Sequence, residues 1–234
     1  MPRIYLSPST QQNNVGVSPF TNEEAEMNKI ADALIPLLLK DGRFTIKRNT
    51  PDMDVYQIAR DSNNFNSDIH VAIHSNAGGA EGTEVFAYGP KTSSERLART
   101  LYNQIAPLSP GADRGVKYKS GLVEVGDIVG ATACLIELGF HDNREDAAWL
   151  VNQPHAIALA LYKGICDFYG YEYRGLTVVV PPMPIVEATV AIQPRKFAVD
   201  DGYLWVLCRE PLMEQAKKDI NKLGFACDRL NLAK

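Results

Sequence analysis

A chain of 234 residues, 45% hydrophobic and 22% charged, is long enough for one large core or for a medium domain plus a small one, and it is not disordered. The net charge of -4 gives no global field that would gather nucleic acid or anionic lipid, and the chain carries no nucleic-acid motif. No apolar run approaches membrane-spanning length, so membrane insertion is not expected.

Residues 3–6 read as a first strand, entered with no charged and apolar leader before it. The expectation is a protein without a signal peptide, made in the cytoplasm, or a mature form whose leader has been removed. Residues 7–16 are too rich in turn formers to be anything but a loop. A helix over about 21–40 follows, with Met27, Ile30, Ala31, Leu34, Leu37 and Leu38 on the 3.6-residue period. Pro36 should kink it, and Thr21-x-x-Glu24 has the spacing of a capping box.

Residues 42–47 read as a strand and 54–64 as a helix. The run 68–73 is apolar and β-branched and ends abruptly in His74, Ser75, Asn76, Ala77, Gly78 and Gly79. This is how a buried strand presents a side chain at the carboxyl edge of an α/β sheet. Residues 82–88 form another strand, 93–105 a helix and 107–119 a loop whose basic end carries Arg114, Lys117 and Lys119. The last long apolar strand, 131–136, ends in Glu137, and helices over 143–150 and 154–169 close the unit, with His155 at the surface.

Strands and helices alternating at such short intervals predict an α/β fold: an open, twisted, mostly parallel sheet flanked by helices. That domain is assigned to 1–172. A proline-rich linker spans 173–185, and 186–234 form a small α+β C-terminal domain, with strands at 202–208 and 226–230 around a helix at 210–223. This module is expected to bind cell wall or to dimerise the chain. Cys134 and Cys166 read as small buried hydrophobes, whereas Cys208 and Cys227 have a spacing that leaves pairing open.

The chemistry concentrates at two strand tips and one helix start. Glu137, at the end of an apolar strand, would cost several kcal/mol to bury unless paired or protonated, which points to a cleft or a metal beside it. His74, a helix-borne Glu24 and Glu137 are together the parts of a zinc hydrolase, in which N and O ligands leave a position open and a carboxylate moves a proton. Read from the residues alone, Glu24 is equally a capping-box residue. His70 shares a strand face with His74 but stands roughly 13 Å away along the strand, so it reads as a core histidine.

Three motifs, Glu24-x-x-x-Asn28, Ile73-His74-Ser75-Asn76-Ala77 and Glu137-Leu138-Gly139-Phe140-x-x-Asn143, occur in the order found in the zinc-dependent N-acetylmuramoyl-L-alanine amidases of the Amidase_3 family, which the chain resembles over about residues 1–170. The resemblance implies a bacterial autolysin or phage endolysin that binds peptidoglycan. It implies Zn2+ as cofactor, Glu24 and His74 as ligands, Glu137 as general base and Asn76 as a substrate-binding residue. The family's loop after the first strand carries a zinc-binding histidine that this chain lacks. His141 is therefore expected as the third ligand, with Gln11 as its rival. Two other readings share the scaffold: a non-catalytic wall-binding protein, and a zinc peptidase of the stem peptide. The C-terminal module loosely resembles the SPOR-type peptidoglycan-binding repeat.

Overall fold

The computed structural model describes residues 1–174 and the backbone of 197–200 and 203–206. The chain divides into two compact units, Met1–Leu176 and Thr177–Lys234. In the second, β7 (Phe197–Asp200) and β8 (Tyr203–Val206) pair antiparallel, Phe197 opposite Val206. The linker beyond residue 174, the helix and strand expected at 210–223 and 226–230, and the pairing of Cys208 with Cys227 lie outside the described residues.

The first unit is a six-stranded sheet in the order β2-β1-β3-β6-β4-β5, numbered below in chain order. β1 (Arg3–Pro8), β2 (Thr45–Arg48), β3 (Ile69–Asn76) and β6 (Thr132–Phe140) run parallel. β4 (Thr83–Ala87) is antiparallel to β6, and β5 (Asp113–Tyr118) is parallel to β4. The mostly parallel sheet flanked by helices is thus the fold expected, with a reversal at one edge. β5 falls where a loop was expected. Its glycines and charges hide a period-2 pattern, and it is an edge strand paired to β4 alone. Gly115 takes φ 76° where the β4–β5 register slips past Arg114, the left-handed backbone that a bulge of this kind needs.

Alternation sorts the central strands into two faces. Ile4, Leu6, Val71, Ile73, Cys134 and Ile136 are buried under α1 (Glu23–Asp41), α3 (Ser93–Ile105) and α5 (Pro154–Tyr169). The other face carries Tyr5, Ser7, His70, Ala72, His74, Ala133, Leu135 and Glu137. Small apolar clusters involving Ala59 of α2 (Val55–Asn64), Val125 and Val129 cover part of it. The polar residues are therefore gathered on the face that α2 and the β5–β6 connection cover.

α1 starts one residue later than the capping-box reading requires. Its N-cap is Asn22, whose side chain accepts from the Ala25 N–H at 2.8 Å, while Thr21 Oγ1 donates to Glu26 at 2.7 Å. The helix continues through Pro36 and stops at Gly42, φ 76°. Cys134 and Cys166 are buried and unpaired, as expected, and α4 (Arg144–Asn152) is capped by Asn143.

At the end of α1, buried Asp41 accepts from Arg43 Nε and Nη2, both at 2.6 Å, and from the Tyr162 hydroxyl at 2.7 Å. The Arg43 bonds hold its carboxyl below the ordinary range against the opposing effect of burial, with Tyr162 assisting. A depressed folded-state value contributes stability that is complete above the unfolded value and lost as pH falls through the folded one. Asp41→Asn should therefore cost about 2–3 kcal/mol at neutral pH. It should also flatten the loss of stability that the parent shows below about pH 4. Urea unfolding at pH 7 and at pH 3 measures both.

Candidate active site

Residues 74 and 137 are register partners on adjacent strands: His74 of β3 lies beside Glu137 of β6. Just past them the ladder slips, so that Asn76 pairs with Phe140. A bulge here re-aims the side chains at the sheet's edge. Asp142 accepts from the N–H groups of Gly78 and Gly79 at 2.7 and 2.8 Å. Asp146 accepts from those of Gly82 and Phe140 at 2.7 and 2.8 Å, so both strand tips are tied down.

Two side chains meet at one nitrogen of His74. Glu23 Oε1 stands 2.8 Å from Nδ1 and also accepts from the Ser75 N–H at 3.3 Å. The Gln11 amide lies 3.4 Å from the same Nδ1. Asn14 Nδ2 donates to Gln11 Oε1 at 2.9 Å and to Glu23 Oε2 at 2.7 Å, which locks the loop after β1 onto the start of α1. At the opposite edge of the ring, Nε2 lies 3.6 Å from Glu124 Oε2, an ion-pair distance longer than a hydrogen bond.

These acids set the charges. Burial disfavours a charged His74, but Glu124 and Glu23 outweigh it and push the imidazole up to about 10, so in the metal-free chain it is an imidazolium at neutral pH. Burial raises Glu23, and the hydrogen bonds from His74 and Asn14 turn the net shift downward. Glu137 differs: burial pushes it up to about 7, helped by Glu23 and Glu84 and opposed by His74. Its Oε2 is buried with no hydrogen-bond partner. Such a carboxyl is poised to take up a proton.

Glu84, opposite Glu137 on β4, forms the rim. It accepts from Asn76 Nδ2 at 3.0 Å and Arg114 Nε at 2.6 Å and pairs with Lys117. Arg114 also lies over the Phe140 ring, 4.9 Å from its centroid.

Of the residues expected at the site, His74, Glu137 and Gln11 come together and Asn76 sits at the rim, bound to Glu84 and to the Ala77 N–H. The helix carboxylate on His74 is that of Glu23, not Glu24. One residue turns a helix by roughly 100°, and Glu23 is in phase with the buried stripe Met27, Ile30 and Leu34. That phase was available in the sequence, but the motif Glu24-x-x-x-Asn28 drew attention to its neighbour. His141 is turned away. It is buried, stacked on Phe20 with centroids 5.4 Å apart, and its Nδ1 faces Ser75 Oγ at 3.0 Å. Ser75 follows His74 on the strand and so points to the opposite face. Gly16 packs on the His141 carbonyl so closely that a Cβ there would stand 2.5 Å from the oxygen. Glu124, within a stretch with no clear periodicity, escaped sequence reading altogether.

Among the described residues, no three His, Cys, Asp or Glu side chains are arranged to hold a metal ion. Glu23 and His74 supply two good donors, and the nearest third is the Gln11 amide. Turned over, with loss of the bond from Asn14 Nδ2, it presents an oxygen to the same point. The trio fits a cation that accepts N and O ligands, with one weak donor.

The sequence pattern of the family described as N-acetylmuramoyl-L-alanine amidase, Amidase_3, matches residues 4–167. Among solved structures, the catalytic domain of CwlV, an N-acetylmuramoyl-L-alanine amidase from Bacillus (Paenibacillus) polymyxa var. colistinus, is similar with TM-score 0.65 and 19% identity, over 74% of this chain and 100% of that one. The N-acetylmuramoyl-L-alanine amidase of Clostridium difficile 630 gives 0.64 and 22%, over 72% and 97%. AmiC2 of Nostoc punctiforme, another N-acetylmuramoyl-L-alanine amidase, gives 0.64 and 19%, over 72% and 97%. At these identities the likeness is one of fold. No curated protein matches.

The assignment of Glu23 is open to direct measurement. In the metal-free chain the His74 imidazolium should persist at pH 8, seen in the ring 15N resonances. Glu23→Gln should lower its titration midpoint by about one unit or more, and Glu24→Gln should leave it in place.

Proposed function

Because the chain belongs to the Amidase_3 family of N-acetylmuramoyl-L-alanine amidases, we propose that it hydrolyses the amide bond between N-acetylmuramic acid and the L-alanine of the peptidoglycan stem peptide, using a zinc ion held by Gln11, Glu23 and His74. The observation that carries this reading is the juxtaposition at the sheet's edge. A histidine with a carboxylate on one nitrogen stands beside a buried, unpaired Glu137. In this assignment Gln11 and Glu23 take the places first given to His141 and Glu24.

Zinc bound at this point would supply Lewis acidity toward the scissile carbonyl and the attacking water. The chain's own residues do the rest. Glu23 and His74 fix the ligand geometry, and Asn14 holds Glu23 in place. Glu137 takes the proton from the attacking water as general base and hands it to the departing nitrogen of L-alanine. The buried environment that raises Glu137 suits it to both halves of that transfer. Asn76 orients substrate from the rim, its amide held by Glu84.

Such an enzyme acts at the cell wall, as an endolysin or autolysin does. Among the described residues no helix is long and apolar enough to cross a membrane. A second reading, a wall-binding protein without activity, is favoured by one observation: the third donor is an amide.

Three measurements separate these readings. Elemental analysis should find about one zinc per chain, and chelation should abolish lysis reversibly. Digested walls should release stem peptides bearing N-terminal alanine. Alanine left on the sugar would indicate a peptidase instead, and wall binding with neither zinc nor release would indicate the inactive protein. Glu137→Gln should keep the zinc and lose turnover by about 10²- to 10⁴-fold. Gln11→His should tighten zinc by about tenfold or more, and an unchanged affinity would remove Gln11 from the ligand set.

A further inference from the structure

Glu124 belongs to the connection between β5 and β6, yet it is buried. An isolated carboxylate in such a place costs several kcal/mol unless it is paired and hydrogen-bonded. Its two oxygens are divided between partners. Oε1 accepts from the Ser7 hydroxyl and lies 3.1 Å from His70 Nε2, whereas Oε2 is left facing His74 Nε2 at 3.6 Å. That Nε2 is buried and has no hydrogen-bond partner.

The first oxygen is anchored to the rigid part of the molecule. Ser7 is on β1 and His70 on β3, adjacent strands. The His70 ring is stacked on Tyr5 with centroids 5.2 Å apart and planes 12° from parallel, and its Nδ1 lies 3.0 Å from Ser62 Oγ. Ser62, His70 and Glu124 thus follow the order of a nucleophile, a base and an orienting acid. Ser62 and His70, however, are 0% exposed, so no substrate reaches them. The array acts on the neighbour that its free oxygen faces, which is His74.

We propose that Glu124 is a positioning residue for His74: held by Ser7 and His70, it fixes the imidazole edge-on so that Nδ1 faces Glu23 and Gln11, and it strengthens His74 as a donor. A carboxylate on the far nitrogen of a metal-binding imidazole fixes ring orientation and raises basicity. Here that offsets the weak amide donor of Gln11. The consequence for zinc rests on the function proposed above; the effect on the ring does not.

The test uses the full chain and zinc alone as probe. The parent and Glu124→Gln are compared for zinc affinity, by competition with a chromophoric chelator, and for the Nε2-bound proton and 15N resonances of the His74 ring without metal. Glu124→Gln should weaken zinc by about 10- to 100-fold and shift the His74 Nε2 resonances. A merely structural role would lower the metal-free thermal midpoint while leaving the zinc affinity of the folded protein and the ring resonances unchanged, and that result would overturn the proposal. If Glu124→Gln does not fold, Ser7→Ala, which frees the carboxylate without altering it, should weaken zinc by about three- to tenfold; parental affinity and parental ring resonances would overturn the proposal equally. A parent chain that takes up no zinc, with ring resonances that respond to Glu124→Gln, would instead overturn the zinc reading and leave the positioning role standing.

Discussion

The parallel pairing of β3 with β6 is the constraint on which the site depends. Both strands are mostly apolar up to His74 and Glu137, and their register sets these two residues side by side. Neither residue is comfortable there alone, because burial works against a charge on either. The fold accommodates them by making the two different: carboxylates on both edges stabilise the imidazolium, while the unpaired Glu137 moves toward neutrality. The neighbours of each group set this difference: carboxylates lie at both edges of the ring, and Glu137 Oε2 has no hydrogen-bond partner.

Much of this was legible in the sequence, and where it was not the reasons are physical. The strand tips could be read because apolar β-branched runs followed by glycine or polar residues have few other uses. The helix carboxylate was placed one residue off because two patterns competed. The resemblance motif Glu24-x-x-x-Asn28 selected Glu24, while the phase of the core stripe selects Glu23, and the cap is supplied by Asn22. His141 was misplaced because sequence proximity to Glu137 says nothing about which side of a bulged strand end a side chain leaves from. β5 was hidden by glycines and charges that suit an edge strand as well as a loop. Glu124 could not have been found, since a loop residue becomes buried only when the loop itself has docked.

The polar groups of the site fall into two sets that do not mix. Behind His74, Glu124 of the β5–β6 connection, His70 of β3, Ser7 of β1 and Ser62 of α2 form a buried network. Toward solvent, Glu84 collects Asn76, Arg114 and Lys117, and these cations hold its carboxyl down although burial raises it. The inner network determines where a ring points. The outer one, half-buried cations around a buried carboxylate, sets the charge at the rim.

The reversal at β4 has an architectural outcome of its own. On the His74 side, the cleft is bounded by segments that leave strands β1, β3 and β6. On the Glu84 side it is bounded by segments that enter β4 and β5. The connection of residues 77–82 is both the exit from β3 and the entrance to β4, so it joins the two walls. The segment that enters β5, residues 109–112, joins no strand of the β3–β6 ladder, so changing its length reshapes the rim while the pairing of His74 with Glu137 stays as it is.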